Sequence, residues 1–244
     1  MTPSKVSGSI LFIFDVDGCI VDSFTYFKKF APEILDKFKI SVDEDFLMQL
    51  QKDIIKMLAG NSSKILVLKM INYASRKMGL GPFRRFRFLL YLRKLYKKNI
   101  RDVSLVPGAV ETLKFLKTGG HRVGLFTTGS LKDFELKFEN KQDLLNPVEA
   151  FIVRDDVKRT KPDPEGIFLL RERLGIDDDI PSVMIGDMVH DIEAGIDAGA
   201  LPIGVLTGVN SREELHQAGA EIILDSIASI PGMMDSIQSR IAGQ

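Results

Sequence analysis

Four polar stretches hold the side chains of this chain that are best suited to phosphoryl and proton chemistry. They are Asp15-Val16-Asp17-Gly18, Thr127-Thr128-Gly129-Ser130, Lys161-Pro162-Asp163-Pro164 and Gly186-Asp187-Met188-Val189-His190-Asp191. Brought to one place, Asp15, Asp17, Asp187 and Asp191 would repel one another, each close pair by roughly 4 kcal/mol at 4 Å and an effective dielectric near 20. Such a cluster needs cations. Lys161 supplies one, and the remaining deficit calls for a bound ion; all-oxygen ligation selects a hard ion such as Mg²⁺ over zinc. With ion and lysine in place the cluster suits a phosphate dianion. The Thr127 hydroxyl and Lys161 would hold its oxygens, with Thr128 and Gly129 in the same loop, and one aspartate could attack phosphorus covalently. Asp17, two positions after Asp15, could give a proton to the leaving oxygen and then take one from water.

These stretches converge only if the elements before them end at one edge. Ile10 to Phe14 is a continuous apolar run, the pattern of a strand buried on both faces of a parallel sheet. Arg122 to Phe126, Ser182 to Ile185 and Pro202 to Leu206 read alike, with Ala150 to Val153 and Glu221 to Leu224 as weaker strands. Helical segments separate them; one is predicted from Pro164 to Leu174, with Asp163 as N-cap and Gly175 just past its end. Alternating strands and helices predict an α/β fold with a doubly wound, Rossmann-like parallel sheet, in which ligands bind beyond the carboxyl ends of the strands.

Residues 23–103 contain no clear strand. Phe46, Leu50, Ile54 and Leu58 recur at helical spacing, as do Ile65, Leu68, Ile71 and Met78, with Asn61 and Ser62 between them, and Phe83 to Lys98 forms a last helix. This predicts a core domain from 1–22 and 104–244 and an inserted helical domain over 23–103.

In these residues the chain resembles the haloacid dehalogenase superfamily of aspartyl-phosphate hydrolases, in its phosphoglycolate-phosphatase-like branch. Asp15 to Gly18 matches the family's Asp-x-Asp-Gly motif, Thr127 the threonine after the second strand, Lys161 the third-motif lysine, and Asp187 with Asp191 the Gly-Asp-x-x-x-Asp motif, all in family order. The resemblance implies that the insert is a helical cap. It implies that Asp15 is nucleophile and metal ligand, that Asp17 is the general acid/base and offers its backbone carbonyl to the metal, and that Asp187 is the other side-chain ligand. Asp191 would orient the metal shell. Cys19 departs from the threonine usual in this branch.

Plainer readings stand beside these. His121, His190 and His216 lack the spacing of a metal cluster, Thr128 and Ser130 either donate to phosphate or cap a turn, and Cys19 is a small packed residue or a redox-sensitive one. Between Arg84 and Lys98 seven basic residues interleave with aromatics and no acid occurs. That pattern fits a solvated cap helix whose long side chains cover apolar neighbours, steering of anionic substrates, or a nucleic-acid or membrane surface.

Lys plus Arg and Asp plus Glu number 33 each, which argues against a nucleic-acid partner and against a membrane. One cysteine fits a reducing cytoplasm, and the first apolar run is too short for a signal peptide or a membrane span. The expected activity is a Mg²⁺-dependent phosphatase acting on a small phosphorylated metabolite, with a cap that excludes water. The alternatives are a phosphomutase of the same branch and a non-catalytic anion-binding protein using the basic helix. Oligomeric state is not encoded legibly.

Overall fold

A computed structural model describes residues 8–58, 66–176 and 179–243; Asn61, Ser62 and Ile65 lie outside these. The chain forms two compact units, one from the residues up to Phe24 together with those from Ser104 on, the other from Thr25–Val103. Among the described residues no helix is long and apolar enough to cross a membrane.

The first unit is built on six parallel strands: β1 Leu11–Phe14, β2 Arg122–Phe126, β3 Ala150–Ile152, β4 Ser182–Gly186, β5 Leu201–Val205 and β6 Ile222–Leu224. Each lies within one residue of its predicted bounds; the inner strands show the continuous apolar runs of burial on both faces, and the edge strands β3 and β6 are partly exposed. Every residue of β1 is fully buried. The order is β3-β2-β1-β4-β5-β6. The chain winds from β1 to one side, returns, and continues through β4 on the other, which puts the topological switch point between β1 and β4. Phe14 pairs in register with Leu125 of β2 and Ile185 of β4, so Asp15 emerges level with the ends of both neighbours.

Leu11, Ile13 and Met184 share one apolar cluster with Phe126, Ile167 and Leu170, where the helix Glu165–Leu174 lies against the sheet. Two glycines permit that approach: a Cβ on Gly166 would come within 2.2 Å of the Phe126 ring, and one on Gly124 within 2.6 Å of Leu170. This helix starts one residue later than predicted, with Pro164 rather than Asp163 at the N-cap. Asp163 lies one residue further out, where its carboxylate accepts from the Glu165 amide at 3.0 Å and pairs with Arg159. Gly175 ends the helix at φ 58°, in the left-handed region that favours glycine.

The second unit holds the helices Ala31–Lys37, Glu44–Leu58, Leu66–Lys77 and Pro82–Asn99, while a short helix, Ser23–Lys28, straddles the division. Its core centres on Phe38, Leu80 and Phe88, with Phe38 and Phe88 edge to face at 5.0 Å. The basic helix keeps Phe88 inside, yet Phe83 and Phe86 are 73% and 58% exposed, so its long side chains do not cover all of their aromatic neighbours. Where the chain leaves and re-enters the first unit, its two passes pair: the Asp22 amide donates to Ser104 O at 2.9 Å, the Val106 amide to Ile20 O at 2.9 Å, and Val21 bridges Leu105 antiparallel.

Candidate active site

The carboxyl ends of β1, β2 and β4 carry Asp15, Asp17, Thr127 and Asp187, and Lys161 comes from the segment between β3 and the helix Glu165–Leu174. Asp15 follows β1 and is anchored by its amide, which donates to Ile185 O at 2.8 Å. The chain then turns sharply through Gly18 at φ 88°, and a Cβ there would also stand 2.6 Å from the Asp187 carboxyl, so glycine is required twice over. Among the described residues the carboxylates that can bring one oxygen each within 4.8 Å of one another are Asp15, Asp187 and Asp191, all buried.

Lys161 closes this trio. Its ammonium, 2% exposed, donates to Asp15 Oδ1 and to Phe126 O at 2.9 Å, and lies 2.6 Å from Asp191 Oδ1. Burial opposes its charge, but Asp15 and Asp191 outweigh that and hold it protonated. Asp191 sits in the first turn of the helix Val189–Asp197, where its Oδ2 accepts from the Met188 amide at 3.0 Å. Asp187 is fixed by the Val209 amide, 2.9 Å from Oδ2, while its Oδ1 is buried without a hydrogen-bond partner among the described residues.

Burial, and then repulsion within the cluster, push Asp187 well above the usual carboxylate range. Asp15 is raised by burial to about 7 despite Lys161. One lysine is therefore too little cation for three carboxylates. The donor set is oxygen only, and among the described residues Asp187 Oδ1 is buried with no hydrogen-bond partner; together these fit a hard divalent ion held by Asp15 and Asp187 beside Asp191.

The Asp17 carboxylate lies outside that trio, taking Lys137 Nζ at 2.5 Å on each oxygen and a bond from Ser23 Oγ on Oδ1. Burial favours its protonated form, but Lys137 first and Ser23 second overcome this and hold Asp17 below the usual range.

Thr127 is buried at the end of β2, its amide donating to Ile152 O at 3.0 Å and its hydroxyl accepting from the Gly129 amide at 3.0 Å. Thr128 is exposed on the same turn. Ser130 is the N-cap of the helix Leu131–Phe138, accepting from the Asp133 amide at 3.2 Å, so the capping reading fits it. Cys19 is fully buried with its thiol toward Ile185 O at 3.7 Å, and burial followed by the neighbouring carboxylates pushes that thiol well up. It is a packed neutral residue, not a reactive thiolate.

Two groups escaped the sequence reading. Lys137 carried a signal, since it falls between Phe134 and Phe138 on the apolar face of its helix, an odd place for a charge unless it has a partner. The loop after β5 carried another. Thr207-Gly208 follows an apolar run as the other polar stretches do; Thr207 Oγ1 donates to Gly18 O at 2.5 Å, and a Cβ on Gly208 would overlap Asp187 at 1.8 Å.

A sequence model of the family described as haloacid dehalogenase-like hydrolase matches residues 12–205. A phosphoglycolate phosphatase from Rhodospirillum rubrum is 27% identical over 225 residues, 89% of this chain and 88% of the relative. Pyrophosphatase PpaX from Bacillus velezensis is 34% identical over 139 residues, 55% of this chain and 62% of the relative. Among solved structures, a HAD family hydrolase from Deinococcus radiodurans with bound phosphate and sodium superposes with a TM-score of 0.74 at 22% identity, covering 95% of this chain and 97% of that one. A putative beta-phosphoglucomutase from Thermotoga maritima gives 0.72 at 20% identity, covering 93% and 99%, and shares the fold. The chain belongs to the haloacid dehalogenase-like hydrolase family, as an enzyme of the phosphatase type with a phosphoglycolate-phosphatase-like sequence.

Proposed function

We propose that the protein hydrolyses a small phosphorylated metabolite in two displacements on Asp15. The observation that carries this reading is the pairing of Asp15 with Lys161 at the switch point, beside an Asp187 oxygen that has no hydrogen-bond partner among the described residues. An Asp15 carboxylate oxygen attacks phosphorus, the bond to the leaving oxygen breaks, and Asp17, in the fraction of enzyme that carries a proton there against the pull of Lys137, supplies that oxygen's proton. Water then attacks the aspartyl phosphate, Asp17 accepts its proton, and the phosphorus–oxygen bond to Asp15 breaks to release phosphate. Lys161 and the Thr127 hydroxyl hold the non-bridging oxygens, with Thr128 and Gly129 lining the same turn. Asp15 and Asp187, the Asp17 carbonyl and the orienting Asp191 would hold Mg²⁺. When bound, that ion supplies positive charge that lets two anions approach and that stabilises the transferring phosphoryl group.

The 27% identity to a phosphoglycolate phosphatase along most of the chain puts 2-phosphoglycolate first among candidates, with pyrophosphate and sugar phosphates after it. The test is a panel of these compounds with Mg²⁺ in ¹⁸O-labelled water, with Asp15→Asn as control. Labelled phosphate released by wild type alone is the expected outcome. Isomerised sugar phosphate with negligible free phosphate would replace this reading with a mutase.

A further inference from the structure

A lysine that is 5% exposed needs a partner, because an ammonium removed from water is costly unless a counter-charge receives it. For Lys137 that partner is Asp17, gripped on both oxygens at 2.5 Å across 120 residues of sequence. The lysine stem is held in place by its helix. Phe134 and Phe138 flank it with their rings 4.6 Å apart, Phe134 stacks on Phe151 at 4.3 Å, and Ser130 caps the start of the helix. Ser23 approaches Asp17 Oδ1 from a separate segment. A carboxylate on a turn would otherwise sample several rotamers; here two elements fix one of them. Lys161 is directed at Asp15 and Asp191 instead, so the two lysines serve different carboxylates.

We propose that Lys137 is a positioning residue: it acts through Asp17, holding that carboxylate in the orientation from which it exchanges a proton with the leaving oxygen. The proposal rests on the two-displacement reading above. A misplacement of about 1 Å in such a group is enough to slow chemistry by roughly a hundredfold.

The experiment compares kcat/KM for 2-phosphoglycolate, whose alkoxide must be protonated as it leaves, with that for p-nitrophenyl phosphate, whose phenolate leaves without a proton. Lys137→Met is expected to lower the first by about ten- to a hundredfold and the second by less than about threefold. In an Asp17→Asn background the same substitution is expected to change neither further. Both esters are read on one sample, so any unfolded fraction scales both alike and leaves their ratio untouched. If Lys137→Met yields no folded protein, Lys137→Gln, which keeps a neutral donor, gives the same two readings. Equal losses for both esters, no loss for either, or a further loss in the Asp17→Asn background overturns the proposal while leaving the phosphatase reading intact. Wild-type protein that releases no Asp15-dependent phosphate from either ester overturns the phosphatase reading, and the proposal falls with it.

Discussion

Neutralising Asp187 separates what the carboxylate costs the fold from what it offers a cation. Its pKa in the folded chain stands above the unfolded value, so the folded state binds its proton more tightly, and the metal-free fold loses stability as pH rises toward the folded value. Asp187→Asn removes that burden. The metal-free variant should melt a few degrees higher at pH 8, at about 2–4 °C per kcal/mol for a chain of this size, while the rise in Tm that Mg²⁺ gives wild type should vanish; differential scanning calorimetry reads both. Asp15→Asn should lower kcat by more than about a thousandfold with the fold intact, and Asp17→Asn by roughly 10²- to 10⁴-fold with an alkyl ester, both measured by phosphate release. At this scale the sequence was legible where charge itself was the signal. Asp15 and Asp187 follow apolar runs and Asp191 lies one helical turn further on, and the structure brings these three carboxylates together. The pairing of Asp17 with Lys137 could not be read, because the helix that carries Lys137 reaches that carboxylate only once β1 and β2 lie side by side.

At the scale of elements, the close approach of helix Glu165–Leu174 to β2 is set by hydrogen atoms where other residues carry methyl groups. Gly166→Ala drives a Cβ against the ring of Phe126, itself fully buried, and Phe126 supplies the carbonyl that Lys161 holds. A loss of about 1–3 kcal/mol is expected from such overpacking, read as a lower urea midpoint at unchanged slope. The inner strands could be predicted because burial on both faces leaves a nearly unbroken apolar run, while the edge strands β3 and β6, each partly exposed, left shorter and weaker runs. The start of this helix was predicted one residue early, since proline suits the first helical position as well as the cap and the sequence does not separate the two. In the loop after β5 the legible mark was Thr207-Gly208 after an apolar run, while the Val209 amide that holds Asp187 carries no residue-specific mark.

For the whole molecule, the buried cluster ties stability to pH and to cation together. Asp15, raised to about 7, takes up a proton in the folded chain well before it would in the unfolded one. Without divalent cation, Tm should therefore rise as pH falls from 8 to about 6.5, and saturating Mg²⁺, which favours the ionised carboxylates, should flatten or reverse that slope in a thermal-melt series. The helical unit was recognisable from the lack of strand patterns over 23–103, but where the chain divides depends on pairing at the crossing, which periodicity does not record. That crossing bears on descent as well as on structure. Asp22 bonds Ser104 and Val21 bridges Leu105, so the ends of the insertion meet before any inserted residue contributes. The entropy of closing such a loop grows only logarithmically with its length, by about 0.6 kcal/mol per doubling. Lengthening, shortening or exchanging Thr25–Val103 thus costs the sheet little, and the chemistry at the strand ends can be inherited unchanged while the insert diverges.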